Sequence, residues 1–343
     1  MNRPFVTSGC SQVADNHSGQ CAICGSNEVT SHRATEMMFG MRDEFIYLEC
    51  GECGCLQLQS PPADMSPYYP SNYYSYQPLH SSLQEFTRLR RWLSHKRNEA
   101  QLLNHYNIWR LIAWLRPRPE LVSLSHLLFP ASLSTRNARV LDVGCGNGTL
   151  LLSMAQAGFT SLLGVDPFLP GNIEYGPRCR ILARPLDSLV GETFDLIMFH
   201  HSLEHMGSQI ETFSTVASML APQGVCLIRI PLASSQPWRT YGTHWVELDA
   251  PRHYFLHSRK SLEGLARQAG LEVFHVAYDS TGFNYWASEL YSQGISLHDP
   301  ISHERVDPGT IFSGAELQEF EDRARLDNAQ ERAGRGIFYL RHA

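Results

Sequence analysis

The sequence predicts an α/β fold built on a parallel sheet, and three observations carry this prediction. The short apolar run 139–143 ends in a glycine-rich turn, and the leucine-rich, breaker-free stretch 149–157 follows it as a predicted helix. A second apolar run, 161–165, ends at Asp166. The run 194–199 is apolar along most of its length, as a central parallel strand should be.

The remaining segments continue this alternation of strands and helices. Residues 179–183 are a predicted third strand, and 172–178 before it are expected to form a loop. The further elements are a helix at 210–220, a turn at 222–224, a strand at 225–230, a helix at 261–269 and strands at 271–278 and 336–341. We expect ligands at the carboxyl ends of the parallel strands, where open α/β sheets bind them.

The glycine-rich turn predicts a ligand site at the start of a helix. Gly144, Gly146 and Gly148 alternate with other residues, which brings backbone N–H groups close to a ligand at the helix N-terminus. The spacing is neither the Gly-x-Gly-x-x-Gly dinucleotide fingerprint nor a P-loop, since no Gly-Lys-Ser/Thr follows. An ordinary strand-to-helix turn in an unrelated α/β protein is the alternative.

The segment from Asp142 to Gly148 resembles the first motif of class I S-adenosylmethionine (SAM) methyltransferases, and 164–166 resembles the second. The string 220–224 is similar to the Leu-x-Pro-Gly-Gly turn of that family. The resemblance implies a Rossmann-like sheet with helices on both faces and SAM as cofactor. It implies that Asp166 binds the ribose and Asp187 the adenine amino group. The SAM-binding residues implied by the resemblance are Asp142, Gly144, Cys145, Gly146, Asn147, Gly148, Asp166, Pro167, Asp187 and His200.

Two Cys-x-x-Cys pairs near the N-terminus predict a zinc ribbon. Cys21 and Cys24 form one pair and Cys50 and Cys53 the other, each followed by glycine, which matches the closed Cys₄ site of structural zinc. Cys55 could replace Cys53, Cys10 is a remote further thiol, and a site without metal or a redox pair is the alternative.

The chain divides into four predicted regions. Residues 1–20 are a disordered lead-in, 21–62 the zinc ribbon, 63–130 a Tyr-rich linker with a helical arm, and 131–343 the catalytic domain. Within the last region, 280–335 is long for a hairpin connection, and we expect it to form a cap over the substrate pocket.

The segment after the 194–199 strand contains a Leu-Glu-His string. The chain resembles the methyltransferase subfamily that carries this string, whose zinc-ribbon members share the Tyr-rich linker and the Pro-x-His at 251–253. We expect His201, His205 and His253 to act in proton transfer, with His201 and His205 one helical turn apart. A purely structural role is the alternative for each, since Glu204 and His205 could pair at a helix start.

Two metal sites are further alternatives for the same segment. His201 to His205 spells the His-x-x-Glu-His of inverzincin proteases, but it follows a strand rather than lying on a zinc-binding helix. Ubiquinone-biosynthesis O-methyltransferases carry Glu-x-x-Glu-His here and bind a divalent metal. His201 stands for the first Glu, which disfavours an oxygen-rich Mg²⁺ site.

The composition of the chain limits the classes of molecule that we expect it to bind. The 343 residues carry 28 Lys and Arg against 34 Asp and Glu, a net charge of −6, and no extended basic cluster, which disfavours nucleic acid. Apolar runs are too short to span a membrane, no signal peptide is visible, and cysteine usage suits a reducing, cytoplasmic location.

From these motifs and this composition we expect methyl transfer from SAM to a small molecule or glycan intermediate, most readily at a hydroxyl. A non-catalytic binding or scaffold protein with a vestigial SAM site is the alternative, and the oligomeric state does not follow from the sequence.

Overall fold

The computed structural model describes residues 19–69, 135–299, 302 and 304–343, with isolated positions between 93 and 133. Most of the predicted lead-in, of the Tyr-rich linker and of the helical arm lies outside the described residues. Within those residues, no helix has the length and apolar character needed to cross a membrane.

Twelve strands and six α-helices lie wholly within the described residues and are numbered in chain order. The strands are β1 (Val29–Thr35), β2 (Glu44–Cys50), β3 (Leu56–Leu58), β4 (Arg139–Val143), β5 (Ser161–Val165), β6 (Ile173–Glu174), β7 (Cys179–Leu182), β8 (Phe194–His200), β9 (Leu220–Pro231), β10 (Phe255–Leu256), β11 (Leu271–Tyr278) and β12 (Arg335–His342). The helices are α1 (Thr149–Ala157), α2 (Gln209–Met219), α3 (Gln236–Tyr241), α4 (Arg259–Gln268), α5 (Phe283–Ser292) and α6 (Gly314–Ala329).

The central sheet has eight strands in the order β11-β12-β9-β8-β4-β5-β7-β6. Neighbouring strands from β9 to β7 are parallel, and β12 is antiparallel to both of its neighbours. Because β11 is antiparallel to β12, it points the same way as the parallel strands. The fold is therefore the mixed α/β fold with a central sheet and flanking helices that the sequence predicts.

Helices cover both faces of this sheet and bury its alternate residues. One apolar cluster joins α2 and α4 to the sheet through side chains such as Phe213, Leu262 and Phe338. The other cluster joins α1 to the opposite face through Leu151, Met154 and Tyr339. The strand ends are thus held rigidly, which fixes the loops that follow them.

The N-terminal residues 19–69, here called the cysteine module, build a second, four-stranded sheet. Its order is β1-β2-β3-β10, antiparallel throughout. The strand β10 comes from the segment after Pro251, far along the chain, so the module shares its sheet with the C-terminal region.

Several local predictions differ from the structure. The predicted loop 172–178 contains the short strand β6, which pairs antiparallel with β7. The predicted turn 222–224 lies within β9, where the pairing with β8 shifts register between Phe194 and Leu196. That irregularity allows Pro222, which has no N–H to donate, to lie inside a strand.

The insertion between β11 and β12 contains α5 and α6, which contact each other. It also bonds to the cysteine module through backbone hydrogen bonds from Leu297 N to Met37 O (3.1 Å) and from His298 N to Met38 O (2.8 Å). Arg42 of the module donates to the carbonyl of Gly294 at 2.7 Å. The insertion and the module therefore support each other beside the central sheet.

Candidate functional site

The glycine loop links β4 to α1 and opens at the carboxyl end of the sheet. Gly144, Gly146 and Gly148 all have left-handed φ angles, of 69°, 52° and 77°. Because left-handed φ is costly for residues with a side chain, the alternating glycines let the chain turn tightly here. The N–H groups of Gly144 and Gly148 bond to Val165 O (2.8 Å) and Cys145 O (2.9 Å).

Lack of space, in addition to the left-handed φ, excludes a side chain at Gly144 and at Gly148. A Cβ on Gly144 would lie 2.5 Å from Cβ of Ser202, and one on Gly148 would lie 2.6 Å from Cδ1 of Ile181. Ser202 is fixed by a 2.6 Å hydrogen bond from its Oγ to the carbonyl of Val143. The loop after β8 is thus in van der Waals contact with the glycine loop.

Asp166 ties the glycine loop to the end of β5. Its Oδ2 accepts a hydrogen bond from Gly146 N and its Oδ1 one from Phe168 N, each of 2.9 Å. Burial raises the pKa of this carboxyl group. The residue therefore shapes the glycine loop.

Asp142 is almost fully buried beneath the loop, with 2% of its surface exposed. Burial, and secondarily the carboxylate of Asp166, raises its pKa to about 8. Its Oδ1 has no hydrogen-bond partner among the described residues. A buried carboxyl group with an unpartnered oxygen beside a glycine cradle fits a ligand that brings positive charge and N–H donors, as the sulfonium and ammonium groups of SAM do.

The other predicted cofactor residues line the same edge. Asn147 bonds through its carbonyl to Tyr175 Oη (2.7 Å) and through Oδ1 to Thr149, which begins α1. Pro167 follows Asp166, and the side chain of Cys145 lies under Gly164, where a Cβ would approach its sulfur to 2.5 Å. Asp187 lies exposed in the 3₁₀ turn 186–189 that follows β7.

His200 ends β8 and faces the antiparallel side of the sheet. Arg229 Nη1 donates to its Nε2 at 2.8 Å. Burial, and secondarily the positive charges of Arg229 and Arg335, lowers the pKa of His200 to about 3, so the ring is neutral. Its side chain therefore belongs to a polar network on the β9 side.

His201 does not lie on a helical turn with His205, contrary to the prediction. It has a left-handed φ of 56°, and only Leu203–His205 form a single 3₁₀ turn. Its Nδ1 lies 3.3 Å from Oε1 of Glu204. Burial lowers the pKa of His201 well below its usual value. The structure thus places His201 beside Glu204 and not on a common helical face with His205.

His205 and His253 are brought together instead. Their rings are edge to face with centroids 4.7 Å apart. His205 Nδ1 lies 2.8 Å from the carbonyl of Arg252, and His253 Nδ1 lies 2.8 Å from the carbonyl of Glu247. Because a carbonyl can only accept, each Nδ1 carries the proton and each Nε2 keeps its lone pair.

Glu204 completes this group and is fully buried. Burial raises its pKa to about 8, and neither carboxyl oxygen has a hydrogen-bond partner among the described residues. One ligand atom each from Glu204, His205 and His253 lies within 4.8 Å of the others. These three side chains can exchange protons with a bound molecule or coordinate a cation.

A second buried polar set borders the group. Arg229 pairs with Asp279 at 2.5 Å, and Arg335 pairs with Glu247 at 2.7 Å. Within the described residues, hydrogen-bond partners are lacking for His200 Nδ1, Arg229 Nε, Asp279 Oδ1, Ser280 Oγ and Arg335 Nε. Both unused donors and unused acceptors therefore lie along the carboxyl edges of β8 and β9.

The two cysteine pairs meet as predicted from their spacing. The ligand sulfurs of Cys21, Cys24, Cys50 and Cys53 all lie within 4.8 Å of one another. Cys21 and Cys53 sulfurs are 3.6 Å apart and those of Cys24 and Cys50 are 3.5 Å apart. A tetrahedral ion with bonds of about 2.3 Å needs sulfurs roughly 3.8 Å apart, so the set fits Zn²⁺.

Cys55 does not replace Cys53 in this set. Its buried thiol contacts the carbonyl of Leu56 at 3.5 Å and lies 3.9 Å from His257 Nδ1. Each Cys-x-x-Cys turn is closed by a glycine with a left-handed φ, since Gly25 N bonds to Cys21 O and Gly54 N to Cys50 O. Cys10 lies outside the described residues.

Sequence reasoning missed Asp249, Arg252 and the joining of His253 to Glu204. Arg252 pairs with Asp249 at 2.6 Å and with Glu36 of the cysteine module at 3.0 Å. The charged residues around Pro251 were the available signal, but nothing in their spacing points to a partner 216 residues away.

Comparison with known proteins agrees with the site. The model of a methyltransferase domain family matches residues 87–276. A ubiquinone biosynthesis O-methyltransferase of Bordetella avium is 32% identical over 186 residues, covering 46% of this chain and 75% of that protein. The protein of the same name from Bartonella tribocorum is 27% identical over 176 residues, covering 47% of this chain and 66% of that protein.

Among solved structures, a SAM-dependent methyltransferase from Mesorhizobium loti is similar, with 18% identity and a TM-score of 0.40. The matched region covers 65% of this chain and 98% of the Mesorhizobium loti chain. The family match alone spans more than half of the 343 residues. The chain belongs to the methyltransferase domain family, and it is a SAM-dependent methyltransferase.

Proposed function

We propose that the enzyme transfers the methyl group of SAM to a hydroxyl group of a small molecule or glycan intermediate. The observation that carries this proposal is the group formed by Glu204, His205 and His253, since a hydroxyl must lose its proton as it is methylated. The group follows β8, whose neighbour β4 leads into the glycine loop. The two curated relatives, both named as O-methyltransferases, support an oxygen acceptor.

We assign the donor side of the site to the glycine loop and its acids. Asp142, Asp166 and Asp187, the segment Gly144–Gly148, Pro167 and the backbone of His200 would hold SAM. When bound, SAM supplies an electrophilic methyl group on a positively charged sulfur. The residues of the site orient that methyl group toward the acceptor. Such positioning can remove a large part of the reaction barrier.

His253 is our candidate general base. Its Nδ1–H is fixed on the carbonyl of Glu247, so Nε2 can accept the proton of the acceptor hydroxyl. Oδ2 of Asp249 lies 3.8 Å from that Nε2 and would stabilise the imidazolium formed. Burial lowers the pKa of His205 to about 3, which makes it a weaker base, so we assign it to positioning beside His253.

The unused donors and acceptors at the carboxyl edges of β8 and β9 favour a substrate that carries several hydrogen-bonding groups. Among the described residues, Arg229, Arg335 and His200 each have an unused donor, and Asp279 and Glu204 have unused acceptors. A hydroxyl both donates and accepts, so it can satisfy either kind of neighbour. A cap formed by α5 and α6, as expected for 280–335, would close over such an acceptor and exclude water.

A divalent cation is the second candidate for activating the hydroxyl. Glu204, His205 and His253 form a two-histidine, one-carboxylate set, with His253 in the place that sequence reasoning gave to His201. Backbone carbonyls on both Nδ1 atoms are the arrangement usual behind metal-ligating histidines. Counting metals separates the two mechanisms: a cation here gives two ions per chain, and a metal-free base gives one.

The cysteine module is, in this proposal, a zinc ribbon with a structural ion. Its four thiols leave no open coordination position, which suits a structural rather than catalytic metal. Together with Leu203-Glu204-His205 this supports membership of the zinc-ribbon, Leu-Glu-His subfamily. Thiolate ligands also favour a reducing compartment, and we propose the cytoplasm.

Methyl transfer from labelled SAM to a panel of phenols, catechols, sugars and amines tests the proposal. We expect label on oxygen, identified by NMR of the product. His253→Asn should lower kcat by about 10²- to 10⁴-fold with the Kd for SAM unchanged. His244→Asn, an exposed histidine nearby, is the matched control. Transfer to amines alone, or an unimpaired His253→Asn, would contradict the assignment.

A further inference from the structure

The cysteine module contacts the acceptor side of the site through the backbone that carries His253. Tyr47 on β2 is fully buried, and its hydroxyl donates a 2.7 Å hydrogen bond to the carbonyl of His253. One residue later, the carbonyl of Tyr254 accepts a 2.8 Å hydrogen bond from Leu58 N. The next two residues, Phe255 and Leu256, pair with β3.

Both ends of this segment are fixed to the module by charged or polar groups. At one end the buried guanidinium of Arg252 pairs with Glu36. At the other end Ser258 Oγ donates to the carbonyl of Cys53, a residue of the four-cysteine group, and Lys260 Nζ donates to the carbonyl of Glu52. The module therefore holds residues 252–258 along their whole length.

The same segment holds the Glu204–His205 turn. The carbonyl of Arg252 orients His205 Nδ1, and Tyr254 N donates a 2.7 Å hydrogen bond to the carbonyl of Glu204. Hydrogen bonds thus link β2 and residues 252–254 to Glu204, His205 and His253, through the side chain of His205 and the backbone carbonyls of Glu204 and His253. The geometry of that group depends on where the module places this segment.

The donor side has no such connection. No hydrogen bond or ion pair joins residues 19–69 to the segment 142–168 among the described residues. The polar contacts of the module are therefore with the acceptor half of the site, whereas it shares only an apolar cluster with Val143 and Val165 of the donor half.

We propose that the cysteine module is a structural part of the acceptor half of the active site, with Tyr47 as a positioning residue for His253. This rests on the proposed role of His253. When the module binds its metal, it holds 252–258 and with it the Glu204–His205 turn. When the metal leaves, the acceptor half loses its order while the glycine loop still binds SAM.

Hydrogen exchange of the full chain, before and after zinc removal with a chelator, tests the coupling without any acceptor. We expect faster exchange in 20–58 and also in 249–258, with exchange in 142–168 little changed and the Kd for SAM within about threefold of its starting value. If 249–258 keeps its protection while 20–58 exchanges freely, the proposal is wrong. If 142–168 loses protection equally, the module stabilises the whole domain and the specific coupling is wrong.

Tyr47→Phe tests the single contact while the ribbon stays intact. Zinc content and SAM affinity should be unchanged, and exchange at 252–255 should rise about fivefold to tenfold, the equivalent of one buried hydrogen bond. Methyl transfer should fall in kcat rather than rise in KM, by up to roughly 100-fold. Tyr68→Phe is the control, because its hydroxyl bonds to Asp43 within the module at 2.9 Å.

The two proposals fail separately. Coupled exchange without transfer to any hydroxyl would leave the module's role standing and overturn the hydroxyl acceptor. Hydroxyl transfer that is unaffected in Tyr47→Phe, with unchanged exchange at 252–255, would overturn the positioning role alone.

Discussion

Arg252 and Glu36 form a buried ion pair between the catalytic region and the cysteine module. Nη2 of Arg252 lies 3.0 Å from Oε1 of Glu36, and both side chains are fully buried. Arg252 also pairs with Asp249, and the carboxylate of Glu36 accepts hydrogen bonds from the N–H groups of Phe39 and Met41. A single guanidinium thus pairs with two carboxylates at the junction.

Loss of the Arg252 guanidinium should destabilise the fold. We expect Arg252→Met to lower the free energy of unfolding by about 3–5 kcal/mol, because it leaves two buried carboxylates without a counter-charge. Urea denaturation measures this. Arg325→Met is the control, since Arg325 and its partner Asp322 are both largely exposed, and it should change the stability by less than about 1 kcal/mol. Equal effects of the two substitutions would contradict the importance of the buried pair.

The glycine loop gives a second prediction. Gly144→Ala adds a Cβ at a left-handed φ of 69°, 2.5 Å from Cβ of Ser202. We expect SAM affinity to fall by about 1–3 kcal/mol as the loop shifts. Gly171→Ala is the control, because a Cβ there has no neighbour within 4 Å. Calorimetric titration with SAM measures both variants, and equal affinities would show that the loop accommodates a side chain.

Local sequence patterns predicted the strands and the helix around the glycine loop well. The apolar runs and the glycine spacing around β4, α1 and β5 are short-range signals, and the three predicted spans agree with the structure. The Cys-x-x-Cys spacing is likewise a short-range signal, since two thiols separated by two residues can turn toward the same ion.

The acceptor half depends on contacts that spacing does not encode. His253 lies beside His205 only because β10 pairs with β3, about 200 residues earlier in the chain. His201 adopts a left-handed φ because its N–H bonds to the carbonyl of Arg229 on the neighbouring strand, which breaks the expected helical turn. Both features are set by tertiary pairing, so periodicity could not reveal them.

The four-cysteine group predicts about one zinc per chain. Cys21→Ser should lower the zinc content and destabilise the module, because structural zinc contributes folding energy directly. Cys55→Ala should keep its zinc, since the Cys55 thiol lies outside the four-cysteine group and contacts Leu56 and His257 instead. Metal analysis of the purified variants distinguishes them. Zinc loss in Cys55→Ala with retention in Cys53→Ser would reverse the assignment of the fourth ligand.

Asp166 carries the final prediction because it serves the loop and the expected ribose contact at once. Asp166→Asn keeps the side-chain volume but removes the charge that accepts from Gly146 and Phe168. We expect SAM affinity to fall by roughly 1–3 kcal/mol, the usual range for a charge-assisted bond. Asp322→Asn on exposed α6 is the control. Comparing SAM with its 2′-deoxyribose analogue separates the two roles: if Asp166 binds the ribose, the wild-type enzyme should prefer SAM and Asp166→Asn should lose most of that preference. An unchanged preference would show that the ribose is held by another residue and that Asp166 acts only on the loop.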